Sequence, residues 1–345
     1  MKKRDSGLTA LPLGIGSLPH ADPASACALI LRLFPKSPFW PELPRRDWRE
    51  SMGAEQARGL PGFLEDDDAQ RFYFDGDREI AVEMGTFYEK YLAGDIKDFA
   101  VSSDFASALD PMIEMIGSSG TKPTVFKGQL TGPTTLGLIL KDKTGKAVLH
   151  DEQIMDVLVK ATGLKAAWLK SVMAPVCEEP MIFFDEPMLQ SIGSAAIPID
   201  RATAVARLKE VVDVADCLTG GHCCGNTDWS ILMEAGVDVI ALDAWHFADS
   251  LGLYPGPLEE FFARGGYVAW GIVPASTEGA NVGIDDLYKR LMAGIDKVAA
   301  KTPVSVDLLR ERALITPSCG LSGISESEAE TILAKTAELA LRIKV

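Results

Sequence analysis

Short apolar runs of β character alternate with amphipathic helical segments through most of the chain, and this alternation restricts the fold more than any other feature. The runs are Leu11 to Ser17, Phe99 to Ser103, Thr124 to Leu130, Met181 to Phe184, Asp216 to Gly221, Val237 to Leu242, Tyr267 to Val273 and Ala313 to Pro317. Helical segments stand between most of them, the clearest at Ile154 to Val172, Ala202 to Val214 and Asp285 to Ala299, with Glu326 to Ile343 after the last. In Ala202 to Val214, Val205, Leu208 and Val212 share one face, with Arg207 and Lys209 outside it. Strands separated by helices make a parallel sheet, because a parallel connection needs a crossover. Eight such units predict an α/β fold: a single (β/α)8 TIM barrel over residues 1–345.

Three stretches interrupt the alternation. Arg71 to Phe74 and Arg78 to Val82 flank Asp75-Gly76, a type I′ turn signal, which predicts a β-hairpin insertion at about residues 70–83 before a helix over Glu83 to Leu92. Glu65 to Asp68 is an acidic run suited to a solvated turn. Phe39-Trp40-Pro41-Glu42-Leu43-Pro44 is aromatic and punctuated by proline, so it reads as a loop that lines a pocket or caps a barrel end. Between the first run and this loop, Pro23 to Phe34 reads as helix.

Composition narrows the partners. A formal net charge of −15 disfavours nucleic acid and anionic membrane, which attract Lys/Arg surfaces. With 47% hydrophobic residues in 345, a large core forms without disulfides, and the six cysteines show no dense framework. These features predict a reduced, cytoplasmic protein. The basic start Met1 to Arg4 does not read as a secretion signal. Asp5 interrupts it, and Pro12, Gly14 and Gly16 break the apolar stretch that follows. No stretch reaches the roughly 18 uncharged apolar residues of a membrane span.

Polar residues cluster where a barrel would use them. Ser17, Asp185-Glu186, His222, Asp243 and Cys319 each fall at the carboxyl end of a run, the end that carries chemistry in barrel enzymes. Gly220-Gly221-His222-Cys223-Cys224-Gly225-Asn226 is a glycine-rich strand-to-helix turn holding a His and two Cys. His222 and Cys224 can reach one Zn²⁺, and Cys319 in Pro317-Ser318-Cys319-Gly320 is the candidate third ligand. The alternative is a buried Cys pair beside a core His.

A Cys₂His zinc with an open position is a catalytic arrangement. It suits activation of a thiol, which binds such a metal as thiolate and becomes the nucleophile. The expected reaction is S-alkylation by a methyl group. Successive strand side chains face opposite ways, so one of Asp185 and Glu186 faces the barrel mouth, where a carboxylate could bind an amino group; a helix cap is the alternative. Asp243 is either a fourth, displaceable ligand or a partner orienting His222. His246, three residues on, is the candidate acid or base, with packing or exposure beside Trp245 as its alternative. Lys127 to Thr135 and Gly14 to Ser17 are glycine turns that could present backbone N–H groups to a carboxylate, or could simply end strands.

Ile15-Gly16-Ser17-Leu18-Pro19, Lys127-Gly128-Gln129-Leu130-Thr131-Gly132-Pro133, Asp185-Glu186-Pro187, His222-x-Cys224 and Pro317-Ser318-Cys319-Gly320-Leu321 occur in the order seen in the C-terminal catalytic barrel of cobalamin-independent methionine synthase. The chain resembles that family over nearly its whole length. The resemblance implies a zinc-dependent methyltransferase with homocysteine as acceptor and methionine as product. It implies His222, Cys224 and Cys319 as zinc ligands, Asp185 as the carboxylate holding the homocysteine amino group, and Ile15 and Ser17 as the carboxylate-binding turn. Two departures stand out. The family has Glu where this chain has Asp243, and Gly271 to Ser276 lacks the His that follows the family's seventh strand. The missing His, with the absence of the family's N-terminal half, points to a methyl-corrinoid donor such as methylcobalamin, carried by a corrinoid protein.

Other readings compete. His222 to Asn226 also resembles the zinc turn of methylcobalamin:coenzyme M methyltransferases, which act on another small thiol. A uroporphyrinogen decarboxylase-like protein would need basic residues for several propionates and no metal. A non-catalytic corrinoid- or metal-binding module would bind without turnover.

Overall fold

The computed structural model describes residues 7–194, 197 and 199–343; the basic start at Met1 to Asp5 lies outside them. An α/β fold is organised on a curled six-stranded parallel sheet. Its strands are β3 (Val125–Thr131), β5 (Glu179–Asp185), β6 (Leu218–Cys223), β7 (Val239–Leu242), β8 (Tyr267–Val273) and β9 (Ala313–Pro317), adjacent in that order. A smaller sheet pairs β1 (Phe63–Asp66) antiparallel with β2 (Arg71–Phe74), and β2 parallel with β4 (Lys141–Asp142).

The six parallel strands are apolar without interruption because both their faces are covered. Val125, Met181, Phe183, Leu218, Val239, Ala241, Tyr267, Ala269 and Leu314 pack together on the concave face. Ile182, Phe184, Ile240, Leu242, Trp270 and Ile315 belong to the core between sheet and helices. The helix Ile284–Lys301 supplies one such layer: Leu287, Leu291, Ile295 and Val298 recur on one face and are fully buried. Each such side chain contributes on the order of 1.5–3 kcal/mol. The strand period of two then settles the site. Continuing the concave register past Phe183, Gly220 and Ala241 brings Asp185, His222 and Asp243 to the same face at the carboxyl ends. Gly220 is required there, since a Cβ would lie 2.3 Å from the Phe183 ring.

Two extended segments run along the sheet edges without forming regular strands. Residues 10–13 bond to β9, where Ala10 N donates to Ala313 O and Leu13 N to Ile315 O, each at 2.8 Å. Residues 36–40 bond to β3, where Lys127 N donates to Pro38 O and Trp40 N to Lys127 O. The two segments meet each other through Leu18 N to Glu42 O at 2.9 Å and Glu42 N to Gly16 O at 3.3 Å. Pro38 and Pro41 lack the N–H that a continuous ladder needs, which keeps the second segment irregular.

Three expectations are corrected. Residues 99–103 are not a strand: Ile96–Phe99 is a 3₁₀ turn, and Ser102 and Ser103 accept turn hydrogen bonds from Phe105 and Ala106. The place beside β3 is taken by 36–42 instead. The hairpin spans 63–74, not 70–83. Its turn is Asp67 to Gln70, with Gln70 left-handed at φ 51°, and Phe63 opposes Phe74. Asp75-Gly76 leads into the helix Ala81–Ala93, because the run Ala81 to Met84 favours helix over a second arm. In the helix Arg201–Ala215 the buried stripe is Ala204, Leu208, Val211 and Ala215, which carries Arg207 inward to pair with Glu152 at 2.9 Å. Among the described residues, no helix is long and apolar enough to cross a membrane.

Candidate metal centre

β6 delivers His222 to the concave face and turns Cys223 away from it. The buried Cys223 thiol donates to Pro187 O at 3.8 Å, on the helical side. The next residue, Cys224, returns toward the sheet mouth in the turn after the strand. Cys319 arrives from the turn after β9. One ligand atom from each of His222, Cys224 and Cys319 lies within 4.8 Å of the others, and among the described residues this is the group arranged to hold a metal ion.

The local bonding leaves these atoms free to coordinate. His222 Nδ1 sits 3.2 Å from the Ala241 carbonyl, an acceptor only, so this nitrogen carries the hydrogen. Nε2 is then a lone-pair donor; it is buried and has no partner. Cys224 is drawn well below the usual thiol range, chiefly by a hydrogen bond from Cys319. Cys319 is pushed up by the same contact and by burial. Two cysteine sulfurs and an orphaned imidazole nitrogen are the donor set of a Cys₂His zinc site, and the three residues fit that ion.

Above the concave core lies a layer of buried polar groups. Asp185 is 6% exposed and its Oδ1 has no partner. Burial raises its carboxyl, opposed chiefly by the charge of Lys127. Lys127, 1% exposed, donates from Nζ to Ile15 O at 2.6 Å and Gln129 Oε1 at 3.1 Å, and stands 4.7 Å from the Phe183 ring centre. Burial lowers its amine to about 8, with Asp185 and Glu42 opposing. Glu42 is raised to about 8 by burial and by Asp185. Lys127 was read from sequence only as the start of a glycine turn, and neither its side chain nor Glu42 was given a role. A lysine inside an apolar parallel strand was the available signal for the first, and a glutamate in a proline-bound aromatic loop for the second.

The other candidates fall around this layer in different ways. Ser17 adjoins the Cys319 turn: its carbonyl accepts from Leu321 N at 2.8 Å. Ile15 contributes its carbonyl to Lys127. Glu186 is fully buried on the opposite side from Asp185, and both its oxygens are engaged by Thr134 N, Thr135 N and the Thr135 hydroxyl. There it fills the N-terminus of the helix Pro133–Ile139, a favourable place for negative charge. Asp243 accepts from His246 N at 3.0 Å, and its other oxygen is 2.7 Å from His246 Nδ1. His222 is therefore oriented by the Ala241 carbonyl rather than by Asp243. The His246 side chain is 58% exposed, at the outer edge of the mouth.

No family model matches the chain, and no curated protein matches it. Solved structures do. A B12-independent methionine synthase from Shewanella sp. W3-18-1, in complex with selenomethionine, superposes with a TM-score of 0.44 at 14% identity, over 68% of this chain and 66% of that one. A methyltransferase from Methanosarcina mazei gives 0.45 at 16%, over 69% and 67%. The GH113 β-mannanase AaManA from Alicyclobacillus acidocaldarius gives 0.34 at 13%, over 68% and 79%. The chain thus spans just under two thirds of the first of these structures. Likenesses this distant, shared with a glycoside hydrolase, do not decide chemistry; the side chains at the sheet mouth must.

Proposed function

We propose that this protein is a zinc-dependent methyltransferase acting on a small thiol, with homocysteine as the acceptor and methionine as the product. The observation that carries the reading is the convergence of His222 Nε2, Cys224 and Cys319 within 4.8 Å, with Nε2 buried and unpartnered. We read the two extended edge segments as the remaining staves of a (β/α)8 barrel whose mouth holds the site. Bound zinc would supply the Lewis acidity that lets a thiol act as thiolate at neutral pH.

The chain's own groups do the rest. Asp185, with a free oxygen in a buried site, is placed to hold an ammonium group, and a cation there would also relieve its repulsion with Glu42. We assign the substrate carboxylate to Ser17 and the backbone about Ile15. Lys127 steadies that segment by its bond to Ile15 O. The methyl group passes to sulfur while the donor keeps the bonding pair. A methyl-corrinoid on a partner protein is the proposed donor.

Zinc analysis with zinc-edge X-ray absorption, without and with L-homocysteine, tests the reading. The expected result is about one zinc per chain with two sulfur neighbours, rising to three with homocysteine. Turnover with methylcobalamin, and not with a methyl-folate, would identify the donor; preference for coenzyme M over homocysteine would reassign the thiol. A protein that binds no zinc would end this reading.

A further inference from the structure

Away from the metal centre, a cavity of about 280 Å³ lies between the helix Ala81–Ala93, the long helix Glu152–Met173 and residues 58–61. Leu60, Phe87 and Phe99 give it apolar walls, and Arg58, Lys90 and Lys165 reach it with basic heads. Lys165 is unusual among them. It is 4% exposed, and burial and distant charges alone govern its amine, with no hydrogen-bond partner among the described residues. Its opposing acid, Glu55, is itself buried with Oε2 unpartnered, and burial and Glu42 hold its carboxyl well above the usual range. Arg58 stands within repulsive reach of Lys165; its half-exposed guanidinium also donates to Ser102 Oγ at 2.8 Å and lies 3.8 Å from the exposed Asp104, a loose pair that an incoming anion would share.

The acids near the mouth are already engaged. Glu83 accepts from Gly62 N and Arg78, and Asp98 pairs with Lys90 at 3.5 Å. A buried lysine in the lining of a half-apolar cavity, near a second cation and with no acid among the described residues within ion-pair distance, is an arrangement that an anion completes. We propose that this cavity is a second binding site, for a small organic anion whose carboxylate or phosphate head meets Lys165 and Arg58 and whose flat apolar body lies against Leu60, Phe87 and Phe99. Its volume is at the lower limit for ligand pockets, which admits a single ring with a head group and excludes a nucleotide. The inference does not depend on the metal reading.

Benzoate and phenyl phosphate are suitable probes on the full chain, with benzyl alcohol as the uncharged control, read by calorimetry or ligand-observed NMR. At least one anion is expected to bind saturably, while benzyl alcohol does not; the tighter of the two assigns the head group. Lys165→Met is expected to weaken binding at least about tenfold and Arg58→Gln by a smaller factor, with zinc content unchanged in both. In the unmutated protein, the bound probe should protect Lys165 from acetylation in peptide mass spectra, a readout that stands even where Lys165→Met does not fold. Absence of saturable binding by both anions, equal binding by Lys165→Met, or no protection of Lys165 would each overturn the proposal.

Discussion

Ser17 Oγ occupies the space into which a side chain at Gly320 would grow: a Cβ there would lie 2.2 Å from it, while the Ser17 Cβ is a comfortable 3.5 Å away. The carbonyl of Ser17 also accepts from Leu321 N, so the first segment and the turn carrying Cys319 are packed as one unit. Gly320→Ala is expected to cost about 1–3 kcal/mol by overpacking. In a Ser17→Ala background the same change should cost less than half as much, because only the ordinary Cβ contact remains. Urea denaturation of the four proteins of this cycle measures the difference.

Metal retention should depend on each of three residues and on no neighbour. His222→Ala, Cys224→Ala and Cys319→Ala are each expected to lower zinc below about a tenth per chain after dialysis against a chelator, with methyl transfer falling at least about a hundredfold. Cys223→Ala, whose sulfur faces Pro187, should keep its zinc. Elemental analysis of the four variants decides this, and a zinc-loaded Cys319→Ala protein would refute the geometry as a ligand set.

Asp185→Asn keeps the shape of the side chain and removes its charge. If Asp185 holds the substrate ammonium, KM for homocysteine should rise by about 10- to 100-fold, the worth of a buried charge-assisted hydrogen bond, with zinc unchanged. Steady-state kinetics beside metal content separates this from damage to the metal centre. An unchanged KM would move the amino-group contact elsewhere.

Lys165 gives a pH signature. Its folded value, lowered to about 8 by burial, lies below the ordinary 10.5. At pH 7 the folded and unfolded chains both carry the ammonium, so the full cost of burying it is present; as pH climbs from 8 past 10.5 the folded chain releases the proton first and the cost disappears. Lys165→Met should therefore be more stable than the parent at pH 7, by up to about 3 kcal/mol, and the gap should close toward pH 10.5. Chemical denaturation of both proteins across this range, in a buffer free of organic anions, checks the sign and the window.

The sequence was most legible where burial is two-sided. Met181 to Phe184 and, but for Asp238, Val237 to Leu242 read as parallel strands because neither face carries a polar residue, and His222, Cys224 and Cys319 stood out through residue types rare in such turns. Where prolines remove backbone donors, the pattern failed. Residues 36–42 lie along β3 yet looked like a loop, and 99–103 looked like the missing strand. Asp75-Gly76 signalled a hairpin, but helix propensity in the next residues outweighed it. The meeting of Glu42 with Lys127 and Asp185 was illegible for a different reason: it exists only once three separate staves stand side by side. Glu186 and Asp185 are adjacent in sequence and opposite in space, which strand alternation allows but does not assign.

The bonds from residues 10–13 to β9 join positions some 300 apart in the chain, as Thr9 Oγ1 does with Glu311 O. During synthesis, at about 5–20 residues per second, a separation of that size means roughly 15–60 s between the making of the first segment and the making of β9. Cys319 emerges later still. His222, Cys224 and Cys319 therefore cannot stand together until the segment after β9 has been made, so the proposed metal site forms only after β6 and β9 share one sheet.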